Sequence, residues 1–579
     1  MRLLDTKQRI KVSLLLSQYV GVAFSSAAPE INLDFGSFRG TNELANVDSF
    51  LGIPFAQAGR FENPIMVSAA NKLEGIQDAS KYGFQCPQGA TASVPTEGLA
   101  ELGPVLQAIG LLTARGTPAQ DEDCLSINIQ APSGTSAGAN LPVLFWIHGG
   151  GFSTGASAIS SNTTSLSDAV YQGGKLVNFS VEIGQPVIFV SANYRLSLWG
   201  FLASQEVTDA GVGNLGLKDQ RMALQWVQKY ITQFGGDPGK VTLFGESAGS
   251  LSAATHMVLN DGDTEGLFRG AIMFSGGALK LRDYSSSQGT FDQVVSDVGC
   301  TGSQDPLSCL KNASYSDLAA SAQKFPGLIS YAGSYNPFLP RPDGDFLKQS
   351  PHSSIREGKV ADIPYMIGDV EDEGTLFSLV AQLNTTTDDE FVKYFTNTFP
   401  EVSTEQLEAF TSLYANLTEE SGTQTLGPQY RKLAAAIGDI LFQSGRRDLL
   451  NFTRSTQKAF NFLIEQPVED YANLAVGNIS ALQPLGSFHV SDVVLNTFGT
   501  LDPAVSNNSL HLMSAIIAFT NHLDPNYYCR KDDVPYWPAW DPAIRAQFRF
   551  AESNTTVLED VFHERELDFL NNNADVYLL

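Results

Sequence analysis

The sequence is poor in basic residues and in paired cysteine motifs. Its 36 Lys and Arg face 62 Asp and Glu, which gives a formal net charge of −26 at pH 7. Phosphate contacts depend on clusters of Lys and Arg, so this balance argues against nucleic acid as a partner. The five cysteines, at positions 86, 124, 300, 309 and 529, include no C-x-x-C pair. The sequence therefore gives no indication of a zinc site or of thiol redox chemistry.

Long apolar runs are absent after the first residues. No later segment approaches the roughly 20 apolar residues that a membrane helix needs, so we expect no stable membrane anchor. At the start, basic residues at positions 7, 9 and 11 precede an apolar stretch over 12–24 and small residues up to 28, as in a secretory signal. We predict a signal peptide at 1–28 and a secreted, extracellular protein. An ordinary N-terminal helix is the alternative, because polar residues interrupt the apolar stretch.

Asn-x-Ser/Thr sequons are consistent with a secreted, glycosylated chain. The nine sequons begin at Asn162, Asn178, Asn312, Asn384, Asn416, Asn451, Asn478, Asn507 and Asn554. Chance alone supplies some of them, so they are supporting evidence only.

Internal repeats and long Pro- or Ser-rich linkers are also absent. With 579 residues, of which 43% are hydrophobic, the chain can bury a large core, and we predict one domain with insertions over 29–579.

Short apolar runs are each followed by a loop or a helix; they lie at 141–147, 186–192, 241–244, 271–274, 363–367 and 459–464. This pattern predicts an α/β fold with a mainly parallel sheet covered on both faces. A helix is predicted over 217–234, and Ser403 with Gln406 predicts a capping box.

The pattern G-x-S-x-G occurs three times, at 134–138, 151–155 and 245–249. A nucleophile elbow needs a strand that runs into a sharp turn and then a helix, with small residues beside the serine. Only 245–249 (GESAG) has this context, because KVTLF precedes it and an apolar helical pattern follows. Ser247 is therefore the predicted nucleophile.

A glycine run, His148-Gly149-Gly150-Gly151, follows the predicted strand LPVLFWI. Acyl transfer requires donors aimed at the developing oxyanion, and glycines allow backbone amides to turn inward. We predict that the amides of Gly150, Gly151 and Ala248 are these donors, and that His148 holds the loop in shape. A flexible glycine turn is the alternative.

The base must be a histidine that follows Ser247 if the order is nucleophile, acid, histidine. His489 is the candidate, since it lies in a loop (PLGSFHVSDV), whereas the other histidines lie on helical patterns or too early in the chain. The acid lies in the stretch that follows the predicted strand IPYMIGD. Four carboxylates crowd there, and the residues alone do not choose among them: Asp369, Glu371, Asp372 and Glu373.

Seven motifs occur in order between about residues 30 and 545: EDCLSINI, WIHGGGF, NYRLSLWGF, GNLGLKDQRMALQWV, GESAG, GDVEDEGTLF and GSFHVSDV. In this the chain resembles the type-B carboxylesterase/lipase family, which includes cholinesterases and fungal lipases. The resemblance implies an α/β-hydrolase fold and a serine carboxylic ester hydrolase in which Glu373 is the acid.

The resemblance also implies roles outside the triad. Glu246 would be a buried acid behind the nucleophile, linked to Ser275 or to a water. Arg195 and Asp219 would form a buried ion pair, with a surface position as the alternative. The disulfides would join two pairs of cysteines, leaving Cys529 free: Cys86 with Cys124, and Cys300 with Cys309.

The loop at 87–123 departs from the cholinesterase pattern. It contains no Trp or other aromatic residue that could stack on choline, which disfavours choline esters. Its leucines, valine and isoleucine instead have the spacing of an amphipathic flap. We predict a lid over the site, as in the fungal lipases of the family, with a fixed packed loop as the alternative.

The predicted reaction is acyl transfer through an acyl-enzyme, with Ser247 as nucleophile, His489 as base and no metal or organic cofactor. The partner would be a small-molecule or lipid ester, with transient contact to a lipid interface; the residues indicate no oligomeric state. Two rivals are a non-catalytic adhesion protein on the same fold and an amide or peptide hydrolase with the same triad.

Overall fold

A computed structural model describes most of the chain. The described residues are 27–44, 46–90, 103, 105, 119–157, 173–415, 426–467, 479–493, 497–498, 507–528, 534–551 and 555–579. The predicted signal segment, most of the predicted lid and Cys529 lie outside them. The boundary at residue 28 and the single domain over 29–579 therefore stay predictions.

The described residues form fifteen strands, numbered in chain order. They are β1 (Glu30–Leu33), β2 (Gly36–Arg39), β3 (Val47–Pro54), β4 (Ala56–Gln57), β5 (Ile65–Met66), β6 (Ile76–Asp78), β7 (Ser126–Pro132), β8 (Leu141–Ile147), β9 (Ile188–Ala192), β10 (Gly236–Glu246), β11 (Gly270–Phe274), β12 (Tyr365–Val370), β13 (Ala459–Ile464), β14 (Ala546–Phe550) and β15 (Thr556–Glu559). All six apolar runs singled out in the sequence form strands. Two of these strands begin later than predicted. Pro186 and Pro364 have no amide hydrogen to donate to a ladder, and the amides of Val187 and Ile363 donate to Ser180 and Ala361 instead.

Ten strands build the central sheet, in the order β15-β14-β13-β12-β11-β10-β8-β9-β7-β3. The neighbours from β14 to β9 pair in parallel. The pairs β15–β14, β9–β7 and β7–β3 are antiparallel. The predicted α/β fold with a mainly parallel sheet is therefore confirmed.

The helices among the described residues are also numbered in chain order. They are α1 (Gly173–Glu182), α2 (Ser197–Phe201), α3 (Gln205–Asp209), α4 (Leu215–Tyr230), α5 (Ala248–His256), α6 (Gln288–Asp297), α7 (Pro306–Asn312), α8 (Tyr315–Ala322), α9 (Pro351–Arg356), α10 (Thr375–Ala381), α11 (Asp388–Thr398), α12 (Thr404–Ser412), α13 (Tyr430–Gly438), α14 (Ser444–Thr453), α15 (Asn507–His522) and α16 (Glu564–Asn572). The predicted helix over 217–234 is α4 followed by a 3₁₀ turn, and it ends at Gly235 with φ of 84°. The predicted capping box of Ser403 and Gln406 opens α12.

Both faces of the sheet are buried, as the short apolar strands predict. Along β8, Phe145 and Ile147 join one core cluster, while Leu144 and Trp146 join the other. Helix α5 packs on β10, β11 and β8, and its apolar residues belong to the first cluster. Helix α15 packs on β8 and β10 and belongs to the second cluster. This covered sheet fixes the carboxyl end of β10, where the candidate site begins.

Candidate active site

Ser247 lies on the sharp turn between β10 and α5. Its backbone has φ of 55° and ψ of −125°, a conformation that is costly for a residue with a side chain. Its amide donates to the carbonyl of Phe274 (2.9 Å), which ties the turn to the next strand. A Cβ on Gly245 would lie 2.3 Å from the carbonyl carbon of Gly249, so a side chain at 245 would collide with the start of the helix. The small residues beside the serine are thus a steric requirement of the elbow.

The imidazole of His489 lies between Ser247 and Glu373. His489 Nε2 is 2.9 Å from Ser247 Oγ, and His489 Nδ1 is 2.6 Å from Glu373 Oε2. The exposed fractions of Ser247, Glu373 and His489 are 7%, 2% and 3%. The structure therefore brings together three side chains that are 242 and 116 positions apart in the chain.

The neighbouring carboxylates have other partners. Asp369 forms an ion pair with Arg446 (2.6 Å). Asp372 accepts a hydrogen bond from the amide of Ser487 (2.9 Å). The other oxygen of Glu373 accepts from the amide of Val370 (2.9 Å), so its carboxylate is held at both ends. Of the acids at 369, 372 and 373, Glu373 is the one hydrogen-bonded to the imidazole.

Burial shifts the protonation of this pair. Burial lowers the pKa of His489 to about 4, against the opposing effect of the Asp492 and Asp369 carboxylates. Burial also raises the pKa of the Glu373 carboxyl above its usual range, although the Ser275 hydroxyl and the Val370 amide oppose this shift and favour the ionised form. The imidazole is therefore neutral at pH 7, which is the form that can accept a proton from a serine.

The glycine loop that follows β8 packs directly against the elbow. A Cβ on Gly149 would lie 2.9 Å from the Cβ of Ser247. Gly150 and Gly151 have φ of 111° and 59°, values that favour glycine. Ala248 is the first residue of α5. The amides predicted to hold an oxyanion thus belong to two segments that meet beside the serine.

Side chains outside the loop hold it in place. The His148 ring stacks on Tyr194 with centroids 4.3 Å apart, and the Tyr194 hydroxyl donates to the His148 carbonyl (2.8 Å). Asn336 donates from Nδ2 to the carbonyl of Gly151. Sequence reasoning did not find Asn336, because a single asparagine far from every motif carries no local signal.

Glu246 is the last residue of β10 and directly precedes the serine. Its Oε1 is 3.3 Å from His489 Nε2, and its side chain is almost completely buried. Ser275, which directly follows β11, lies beside Glu373 and lowers the pKa of that carboxyl. The predicted buried acid, Glu246, therefore contacts the imidazole, while Ser275 acts on Glu373.

One helical segment contributes three contacts that the sequence did not predict. Helices α13 and α14 are joined by a π turn over Asp439–Gln443. A Cβ on Gly438, at the end of α13, would lie 3.2 Å from the Cβ of Glu373. Phe442 stacks on the imidazole of His489. Arg446, on α14, holds Asp369. No motif marks a π turn, so these contacts were not predictable.

The described residues contain two disulfides. Cys86 is bonded to Cys124, across a sequence separation of 38, and Cys300 to Cys309, across a separation of 9. Both are the pairs that the resemblance implied.

Arg195 and Asp219 form a two-point ion pair. Arg195 Nε and Nη2 contact the two carboxylate oxygens of Asp219 at 2.8 and 2.7 Å, and the Arg195 amide also donates to Asp219. Their side chains are 6% and 0% exposed, so the pair is buried. A surface position is thereby excluded for both residues.

The comparisons with known proteins agree with this geometry. The profile of the carboxylesterase family matches residues 27–569. The chain belongs to the carboxylesterase family. Lipase 4 of Diutina rugosa is 38% identical over 98% of this chain and 100% of its own length. The secreted triacylglycerol lipase LIP1 of Gibberella zeae is 36% identical, over 91% of this chain and 87% of its own.

A solved structure gives the same fold. The EstA structure of Aspergillus niger superimposes with a TM-score of 0.77 at 26% identity, over 96% of this chain and 99% of that one. This carboxylesterase-family protein therefore has the α/β-hydrolase fold and is a carboxylic ester hydrolase. In the part of the chain that the structure describes, no helix of the hydrolase is long and apolar enough to cross a membrane.

Proposed function

We propose that this chain hydrolyses carboxylic esters through Ser247, His489 and Glu373, by way of an acyl-enzyme. The observation that carries the proposal is the unbroken chain of short contacts from Ser247 Oγ to His489 Nε2 (2.9 Å) and from His489 Nδ1 to Glu373 Oε2 (2.6 Å). This is the arrangement that a serine, a base and an orienting acid require.

In the first half-reaction, Ser247 Oγ attacks the ester carbonyl carbon while its proton passes to His489 Nε2. The amides of Gly150, Gly151 and Ala248 hold the negative oxygen of the tetrahedral intermediate. The bond to the alcohol oxygen then breaks, and His489 returns the proton to the leaving alcohol. A water molecule repeats the sequence on the acyl-enzyme and releases the acid.

We propose lipid-like esters with apolar acyl chains as the substrate class. The enzyme would reach them by transient contact with a lipid interface. The support is that relatives at 36–38% identity over most of their length are named lipases, one of them a triacylglycerol lipase. Rates on p-nitrophenyl esters from acetate to palmitate, below and above micelle formation, test this. A rise at the interface agrees with a lipase that has a lid, and smooth kinetics favouring acetate would contradict it.

Two pairs of variants test the residue assignments. Ser247→Ala and His489→Ala should each lower ester hydrolysis by roughly 10⁴-fold or more in a folded protein. Glu373→Gln should also lower ester hydrolysis strongly. If Asp369→Asn lowers it instead, the acid is misassigned. Stoichiometric labelling of Ser247 by an organophosphonate separates an enzyme from an adhesion protein. A matched ester and amide substrate pair separates an esterase from an amidase.

We also propose that the protein is secreted. Relatives named as secreted lipases occur in Gibberella zeae and Botryotinia fuckeliana, and two disulfides suit an oxidising compartment. Assaying esterase in the medium and in the cell pellet, and sequencing the N-terminus of the released protein, tests both secretion and cleavage after residue 28.

A further inference from the structure

The side chain of Gln88 joins the disulfide to the end of the glycine loop. Its Oε1 accepts from the amide of Gly155 (2.6 Å), and its Nε2 donates to the carbonyl of the same residue (2.9 Å). Nε2 also donates to the carbonyl of Cys86 (2.7 Å). One carboxamide thus holds both backbone groups of Gly155 and fixes them to a disulfide-bonded residue.

The glycine loop is tightly packed between Gly155 and the predicted oxyanion donors. A Cβ on Gly155 would lie 2.3 Å from the carbonyl oxygen of Gly149 and 2.5 Å from His148 Nδ1. A Cβ on Gly150 would lie 2.1 Å from the carbonyl oxygen of Thr154. The two halves of the loop are therefore packed backbone against backbone. A displacement of Gly155 must be transmitted to the segment that carries Gly150.

Further hydrogen bonds hold the backbone around Gln88 in place. The amide of Gly89 donates to the carbonyl of Ser153 (2.7 Å), which adds a second link to the loop. The Gln88 amide donates to Gln120 Oε1 (3.2 Å). Gln85 forms a parallel bridge with Gln120. Together with the Cys86–Cys124 bond, these contacts tie the two ends of the disulfide-closed segment to each other.

We propose that Gln88 is a positioning residue for the oxyanion amides of Gly150 and Gly151, an inference that rests on the proposed function. Gln88 touches neither Ser247 nor His489 in the contacts described above, and it acts through Gly155. A loop of consecutive glycines is conformationally free by itself, so its donors need an external anchor to be preorganised. Beside Asn336 and Tyr194, the Gln88 carboxamide supplies such an anchor at Gly155, because it both donates and accepts there.

The test separates positioning from general stability. Gln88→Met keeps the length of the side chain and removes all of its hydrogen bonds. It should lower kcat by about tenfold and change KM by less than about twofold, because only the transition state places charge in the hole. The affinity for a trifluoromethyl ketone, whose adduct puts an oxyanion there, should fall by a similar factor. Gln88→Glu, which keeps the acceptor but loses both donations, should be at least as damaging.

Gln57→Met is the matched control, since Gln57 is an exposed glutamine at the end of β4, and it should leave kcat unchanged. Titration with an organophosphonate, run to completion, counts the active sites. Dividing the rate by this count gives kcat per active site and removes the effect of misfolded protein.

A wild-type enzyme without esterase activity, or an active Ser247→Ala variant, would overturn the proposed function. With those intact, an unchanged kcat per site and unchanged ketone affinity in Gln88→Met would overturn the role of Gln88, whatever its melting temperature. If Gln88→Met does not fold, Gln88→Glu, which keeps the acceptor and loses both side-chain donations, must show the same split between kcat and KM or the role is rejected.

Discussion

Phe442 stacks on the imidazole of His489, with ring centroids 4.3 Å apart and planes inclined by 25°. Phe377 contacts the same imidazole at 5.1 Å. These rings supply the apolar surroundings that lower the pKa of His489, and they restrict rotation of the imidazole. Its two nitrogens are thereby kept aimed at Ser247 and Glu373.

The π turn explains how three residues of one helical segment all contact the site. Gly438, Phe442 and Arg446 are spaced four residues apart and contact Glu373, His489 and Asp369. Over eight residues, an uninterrupted α-helix turns about 80° past two full turns, which would carry the last side chain off that face. The wider turn at 439–443 takes up part of this rotation. π turns are frequent at functional sites.

Phe442→Leu should lower kcat by about tenfold with little change in KM, because a loosened imidazole is less often in line with Ser247 Oγ. Steady-state kinetics on a soluble p-nitrophenyl ester measures the effect. Phe452→Leu is the control, since Phe452 lies on α14 but is 44% exposed. Equal effects of the two substitutions would mean that Phe442 contributes only to stability.

The acid limb of the kcat/KM profile should lie below pH 6.5. Burial lowers the pKa of His489 to about 4, so the imidazole stays neutral and active as pH falls through the range in which an ordinary histidine is protonated. Activity should be lost only as pH approaches the lowered pKa. Preincubation at each pH followed by assay at pH 7 separates titration from unfolding. A reversible midpoint at or above pH 6.5 would show that burial does not govern this group.

The two disulfides should differ in their contribution to stability. In the chain-entropy view, closing a separation of 38 residues restricts the unfolded state more than closing 9, by about 1 kcal/mol. The double variant Cys86→Ala with Cys124→Ala should therefore unfold at a lower urea concentration than Cys300→Ala with Cys309→Ala. The reverse order would indicate that native packing around each bridge, and not loop length, decides its effect.

The elbow was predictable because its requirements are local: a strand, a glycine-flanked serine and a helix stand in one short stretch around Ser247. The choice of Glu373 as the acid was not predictable from the residues alone, since its neighbours are also carboxylates. Only the family resemblance distinguished Glu373 from them. The structure shows what separates it physically, because β12 ends at Val370, whose amide holds Glu373 Oε1. Gln88 and Phe442 were missed because their contacts arise from tertiary packing.

Removing one partner of the buried ion pair should be far more damaging than removing a surface charge. Arg195→Met leaves Asp219, whose side chain is 0% exposed, without its guanidinium partner and also breaks the bond to the Glu62 carbonyl. An uncompensated buried charge costs about 3–5 kcal/mol in stability.

Urea unfolding gives the comparison. Arg39→Met is the matched control, because the Arg39–Glu30 pair is about half exposed and such pairs contribute roughly 0–1 kcal/mol. The double variant Arg195→Met with Asp219→Asn should recover part of the loss, since the stranded carboxylate is then removed together with its partner. If Arg195→Met is as mild as Arg39→Met, the buried ion pair contributes no more to stability than the exposed pair. The proximity of the two side chains would then not be a source of stability.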